Sequence, residues 1–265
     1  MGHWYDINGE PRHFEGKDGK GTTLREARKL DLYPSVTTVG QVVAKFALTN
    51  WLQEEAAMMA AKMFADSGGG YLIDRAFARD AVNAAREETM AKADAGTDIH
   101  DILEKHQGGM EYASKHKPMC EAVESLILEK TGLSLCNDFY AESRFCNHDD
   151  GYAGMCDLHS IHMNGTYAGR EPDRDEWIID YKSKDTVDAK TRGWPEQAEQ
   201  LAAYAHGLGR PNARLANIFI SRSYPSQVVW FEHKDPLAWE RFRHTLMLWQ
   251  VSKKFGPYYE RMIAA

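Results

Sequence analysis

Ile178-Ile179-Asp180-Tyr181-Lys182 is the stretch that decides how this chain folds. Ile178-Ile179 opens a short apolar run of the kind a buried strand carries. Asp180 and Lys182 follow two residues apart, and on a strand residues at that spacing point to one face. The pattern predicts a carboxylate and an ammonium side by side at the end of an apolar strand. Alone, such a pair reads as a surface ion pair; its neighbours change the reading.

Upstream, Asp150-Gly151-Tyr152-Ala153-Gly154-Met155-Cys156-Asp157-Leu158 reads as a glycine-bearing turn entering a strand. Asp157 sits among Met155, Cys156 and Leu158, where a carboxylate is costly to bury unless paired or metal-bound. About twenty residues separate it from Asp180, enough for two neighbouring antiparallel strands joined by the polar loop Asn164–Asp175. A pair of carboxylates beside an ammonium suits metal-assisted hydrolysis of a phosphodiester: anions to hold a dication, a cation to hold or activate water.

His100 lies in the helical run Ala95-Gly96-Thr97-Asp98-Ile99-His100. Gly96, one turn earlier on the same face, would let that face approach another backbone. Imidazole suits Mn²⁺ and similar ions as a third ligand beside carboxylates. Glu104, one turn on, reads as a solvent-facing or supporting group. Downstream, Trp194-Pro195 opens a helix with proline in its first turn, and Gly207 and Gly209 close it. Gln197, Gln200 and Tyr204 share a face of that helix, either as core with a polar border or as an amide and a phenol aimed at a site.

In this order the pieces resemble the RecB-like branch of the PD-(D/E)xK nuclease superfamily: a helical His (His100), Gly-x-x-Asp (Gly154 to Asp157), Asp-x-Lys (Asp180 to Lys182) and Gln-x-x-x-Tyr (Gln200 to Tyr204). Tyr33-Pro34-Ser35-Val36-Thr37-Thr38, Gly96-Thr97-Asp98-Ile99-His100 and Glu142-Ser143 are similar to the mitochondrial genome maintenance exonucleases and their phage relatives. The likeness covers roughly residues 33–209. It implies an α/β fold, a central mixed sheet flanked by helices, with an N-terminal helical wall supplying His100. It implies Mg²⁺ or Mn²⁺, one or two ions, held by His100, Asp157, Asp180 and the Tyr181 carbonyl. Lys182 would position or deprotonate water and stabilise the developing charge; Gln200 and Tyr204 would orient Lys182 or the phosphate. Glu142 matches a recurrent acid without a fixed role. The implied activity is a metal-dependent DNA exonuclease, on single-stranded ends, in phage replication or recombination. A structure-specific endonuclease and a catalytically silent nucleic-acid-binding member are the alternatives, and silent members usually lose one of Asp157, Asp180 and Lys182.

Length fits one sizeable domain over 1–265, mostly helical to 132 and sheet-bearing from 133. No run of eighteen apolar residues predicts a membrane span, and Met1–Glu10 does not read as a secretory signal, so a cytoplasmic protein is expected, of a bacterial host if phage-encoded. Cys120, Cys136, Cys146 and Cys156 lack the C-x-x-C spacing of zinc sites. Some RecB-like nucleases hold an iron–sulfur cluster with three cysteines beyond the Gln-x-x-x-Tyr helix; none lies beyond Cys156 here, so no cluster is expected.

The net charge of −7 does not mark a non-specific nucleic-acid binder, but local charge matters more. Lys184, Lys190, Arg192 and Trp194 follow the Asp-x-Lys strand and predict a basic path with a stacking aromatic for single-stranded DNA. Helices are expected over 37–65, 74–107 and 115–131, broken at Gly68-Gly69-Gly70 and closed at Gly132. Strands follow near 138–147, 153–163 and 176–183, then a helix over 195–208, strands near 214–221 and 226–233, and a last helix from Asp235-Pro236 to about 261. Residues 1–33 read as short strands or loops.

Overall fold

In the computed structural model the described residues are 2–43, 46–68, 73–161 and 175–264. Gly69-Gly70 of the expected helix break and 162–174, most of the expected polar loop, lie outside them. The chain divides into two compact units, Met1–Val42 with His100–Ala265, and Val43–Ile99.

The larger unit opens with β1 (Trp4–Tyr5), α1 (Leu24–Lys29), β2 (Tyr33–Pro34) and α2 (Val36–Val39). The smaller unit is helical, built from α3 (Phe46–Asp66) and the part of α4 (Arg75–Gln107) up to Ile99. Asp74 starts α4 by accepting from the Ala76 and Phe77 amides at 2.8 and 2.9 Å. The last turns of α4, from His100, belong to the larger unit, where Gln107 donates to the Phe139 carbonyl at 2.8 Å. α5 (Lys117–Thr131) carries Pro118 in its first turn and closes on Gly132 at φ 68°. The short α6 (Leu135–Asp138) leads into the sheet.

That sheet is mixed, with β3 (Phe139–Asn147), β4 (Tyr152–Ser160), β5 (Trp177–Lys184), β6 (Arg214–Ser221) and β7 (Val228–His233) lying side by side in chain order. Only β5 and β6 run parallel, and α7 (Pro195–Gly207) crosses between them. Asn147 and Asp150 exchange hydrogen bonds across the β3–β4 turn, and Gly151 takes φ 80°. α7 buries Ala198, Leu201, Ala202, Ala203, Tyr204 and Ala205, a small-residue face that lets the helix lie close to the sheet. Phe145 fills the gap at its end, where Gly154 and Gly207 leave room for the ring.

Three expectations are corrected. The helix expected over 37–65 is interrupted: α2 stops at Val39, a 3-10 turn spans Gly40–Val42, and α3 starts at Phe46. Residues 24–29 form a helix, because Thr23 and Glu26 make a reciprocal capping box that outweighs the polar composition. The expected last helix is two: α8 (Ala238–Lys253) ends in left-handed Lys254, and α9 (Pro257–Ala264) starts after Gly256. Gly256-Pro257 breaks the ladder, since proline has no amide hydrogen to continue it. Among the described residues no helix is long and apolar enough to cross a membrane.

A β-carbon at Gly207 would lie 2.0 Å from the Phe145 ring. Gly207→Ala should therefore destabilise the fold by about 1–3 kcal/mol despite alanine's better helix propensity. Chemical denaturation checks this, and Phe145→Leu in the same chain should recover part of the loss.

Candidate metal centre

The parallel pairing of β5 with β6 sets Asp180 opposite Asn217. Asp180 is 2 % exposed, and both its oxygens are engaged. Lys182 Nζ lies 2.5 Å from Oδ2, the Asn217 amide donates to Oδ2 at 2.8 Å, and Gln200 donates to Oδ1 at 3.1 Å. Gln200 also donates to the Tyr204 hydroxyl at 2.7 Å, and Asn217 Oδ1 pairs with His233 Nε2 at 2.7 Å. Burial pushes the Asp180 carboxyl up, while Lys182 pulls it back. For Lys182, burial works against the charge, but Asp180 and Asp157 overcome it and hold the ammonium firmly protonated. Burial keeps the Tyr204 phenol protonated and pushes His233 down to about 4, so its ring is neutral.

One strand over, Asp157 Oδ2 accepts the Tyr181 amide at 2.8 Å and lies 3.4 Å from His100 Nδ1. The His100 and Tyr181 rings meet edge to face at 5.7 Å. Glu142 completes the cluster: ligand atoms of His100, Glu142 and Asp157 all fall within 4.8 Å of one another. Glu142 holds φ 46° inside β3, where the ladder pairs Ala141 with Leu158 and Ser143 with Cys156 on either side. A left-handed non-glycine residue costs of order 1–3 kcal/mol and tends to occur where function demands it. Burial and then the Asp157 charge push Glu142 up to about 7. Burial would lower His100, but its hydrogen bond to Asp157 and the charges of Asp157 and Asp180 drive it up to about 9. Glu142 and His100, crowded together, thus hold their protons tightly.

Of the expected residues, His100 and Asp157 meet directly, and Asp180, Lys182, Gln200 and Tyr204 form a hydrogen-bonded set beside them. Tyr181 engages Asp157 through its amide. Gln197 turns away to accept from the Trp194 amide at 2.8 Å, and Glu104 is exposed. At the end of β5 Lys184 lies over the Phe219 ring at 4.5 Å, and in the loop that follows Lys190 and Arg192 are exposed and Trp194 is 57 % exposed. Asn217 and His233 went unnoticed in the sequence. A lone Asn within Leu215-Ala216-Asn217-Ile218-Phe219 was the available sign, because a buried amide needs partners.

No protein-family model matches the chain, and no curated protein matches it. A solved structure titled "Crystal structure of SSO0001" is similar over 75 % of this chain and 88 % of that one, at 11 % identity and TM-score 0.31. At that score the likeness transfers nothing to this site.

The raised pKa values fix a pH dependence. His100 and Glu142 bind their protons more tightly folded than unfolded, so the stability they add is complete below their ordinary values of 6.5 and 4.5. It is lost as pH rises through about 7 for Glu142 and about 9 for His100. In chelator, Tm should fall between pH 4.5 and about pH 9, and His100→Gln should remove the upper part of the fall. A chelated protein with a flat Tm over that range would contradict the charge assignment.

Proposed function

We propose that this chain is a metal-dependent DNA exonuclease acting on single-stranded ends, with its mixed sheet serving as a PD-(D/E)xK nuclease core. The observation that carries the reading is the approach of His100, Glu142 and Asp157 ligand atoms beside the buried Asp180–Lys182 pair. Carboxylate oxygens with one imidazole suit Mg²⁺ or Mn²⁺. His100, Glu142 and Asp157 would hold the ion, with Asp180 and the Tyr181 carbonyl as further oxygen donors. When bound, the ion supplies Lewis acidity and lowers the pKa of coordinated water.

The chain's own groups do the rest. Water attacks phosphorus in line, and the ester oxygen leaves. Lys182, protonated and tied to Asp180, orients that water and offsets the negative charge that grows on the phosphate. Gln200 and Asn217 fix Asp180, so the ammonium reaches one place. Lys190, Arg192 and Trp194 are exposed on the loop that follows β5, as a backbone-tracking, base-stacking path requires. The complete Asp157, Asp180 and Lys182 set favours an enzyme over a silent binder.

Lys182→Ala should lower cleavage by about 10²–10⁴-fold while Mn²⁺ affinity stays at the wild-type value. Asp157→Asn should lose both. End-labelled linear and circular DNA separate the modes: an exonuclease consumes linear single strands and leaves circles, whereas cut circles would establish the endonuclease alternative.

Replacing Lys184, Lys190 and Arg192 together by Ala should weaken binding of single-stranded DNA and flatten its logarithmic salt slope by up to about 2. Wild-type affinity and slope in that variant would route the strand elsewhere.

A further inference from the structure

A second group of ligand-bearing side chains lies further along α4, and the nuclease reading does not use it. His106 from the last turns of α4, Glu124 from α5 and Cys136 from α6 bring ring nitrogen, carboxylate oxygen and thiol sulfur within 4.8 Å of one another. These residues are 12 or more positions apart in the chain, so the fold alone assembles them. His106 Nε2 and Glu124 Oε2 are 3.2 Å apart. Two ligands on a tetrahedral Zn²⁺ with bonds of about 2.0 Å would be separated by ~3.3 Å.

The imidazole is already oriented. Tyr112 OH meets His106 Nδ1 at 2.9 Å, and the two rings pack edge to face at 5.7 Å. A group on the far nitrogen that fixes ring and tautomer is what ligating histidines carry. With the ring hydrogen on Nδ1 facing the phenol oxygen, the Nε2 lone pair faces Glu124 and Cys136.

We propose that His106, Glu124 and Cys136 form a zinc-class metal site, with water as the fourth ligand, that ties the end of α4 to α5 and α6. The thiolate sets the metal class. Soft sulfur with imidazole favours Zn²⁺ and Co²⁺ over Mg²⁺, which seeks oxygen. The metal would accept the Nε2 lone pair and a Glu124 oxygen where the two now meet, and the Cys136 thiol would release its proton to solvent. Cys136 is exposed, so the ion can enter and water can complete the shell. Cys136 is a single cysteine with no nearby C-x-x-C partner, so no zinc spacing marked it in the sequence.

The test uses the full chain, stripped with chelator and titrated with Co²⁺. The expected result is a sulfur-to-cobalt charge-transfer band that saturates at one equivalent and is bleached by Zn²⁺. Cys136→Ser should abolish the band, and His106→Gln should weaken the Co²⁺ affinity it reports at least about tenfold, the loss of one ligand. Asp157→Asn should leave it intact, which separates this site from the one around His100. In the unmodified protein, Zn²⁺ but not Mg²⁺ should protect Cys136 from alkylation, read by peptide mass. A wild-type protein without the band, a band that survives Cys136→Ser, or equal alkylation with and without Zn²⁺ would overturn the proposal.

Discussion

The buried carboxylate of Asp180 is the constraint around which the larger unit is arranged. A carboxylate taken out of water must be paired and hydrogen-bonded, or it is neutralised by taking up a proton. Lys182, Gln200 and Asn217 meet that demand from three directions, two along the sheet and one from α7. Each partner has its own support: Gln200 also reaches Tyr204, and Asn217 reaches His233. The parallel β5–β6 pairing and the crossover helix between them are what bring these groups to one point.

Acids outnumber bases around this point. Asp157, Asp180 and Glu142 face one ammonium and one imidazole. Glu142 and His100 answer by holding protons well above their ordinary pKa. The strained backbone at Glu142 marks the same place: the strand departs from its ladder where Glu142 joins His100 and Asp157. Rigid strands carry Glu142, Asp157 and Asp180, while His100 comes from a helix whose end is held to β3 by Gln107. Such support holds these side chains in fixed positions.

Much of this was legible in order along the chain. Asp180 and Lys182 were readable as neighbours because a strand alternates faces, and that geometry is local. The strands, α5 with its Gly132 stop and α7 with its Pro195 start followed from periodicity and capping, which act over a few residues. The capping box of Thr23 and Glu26 was equally local and was overlooked among polar neighbours. The break between α8 and α9 was likewise written in Gly256-Pro257.

The sequence by itself determined the kinds of element, the apolar strand that carries Asp180 and Lys182, and the presence of acids, amide and imidazole in a recognisable order. Only the tertiary structure decided which of them touch. Glu142 joins His100 and Asp157 because β3 is adjacent to β4, and Asn217 supports Asp180 because β6 is adjacent and parallel to β5. Gln197 was expected on the same face as Gln200, yet it closes the helix start instead. His106, Glu124 and Cys136 meet for the same kind of reason. Strand register and helix packing are set by burial of the whole core, a sum over many distant residues, so no window along the chain contains them.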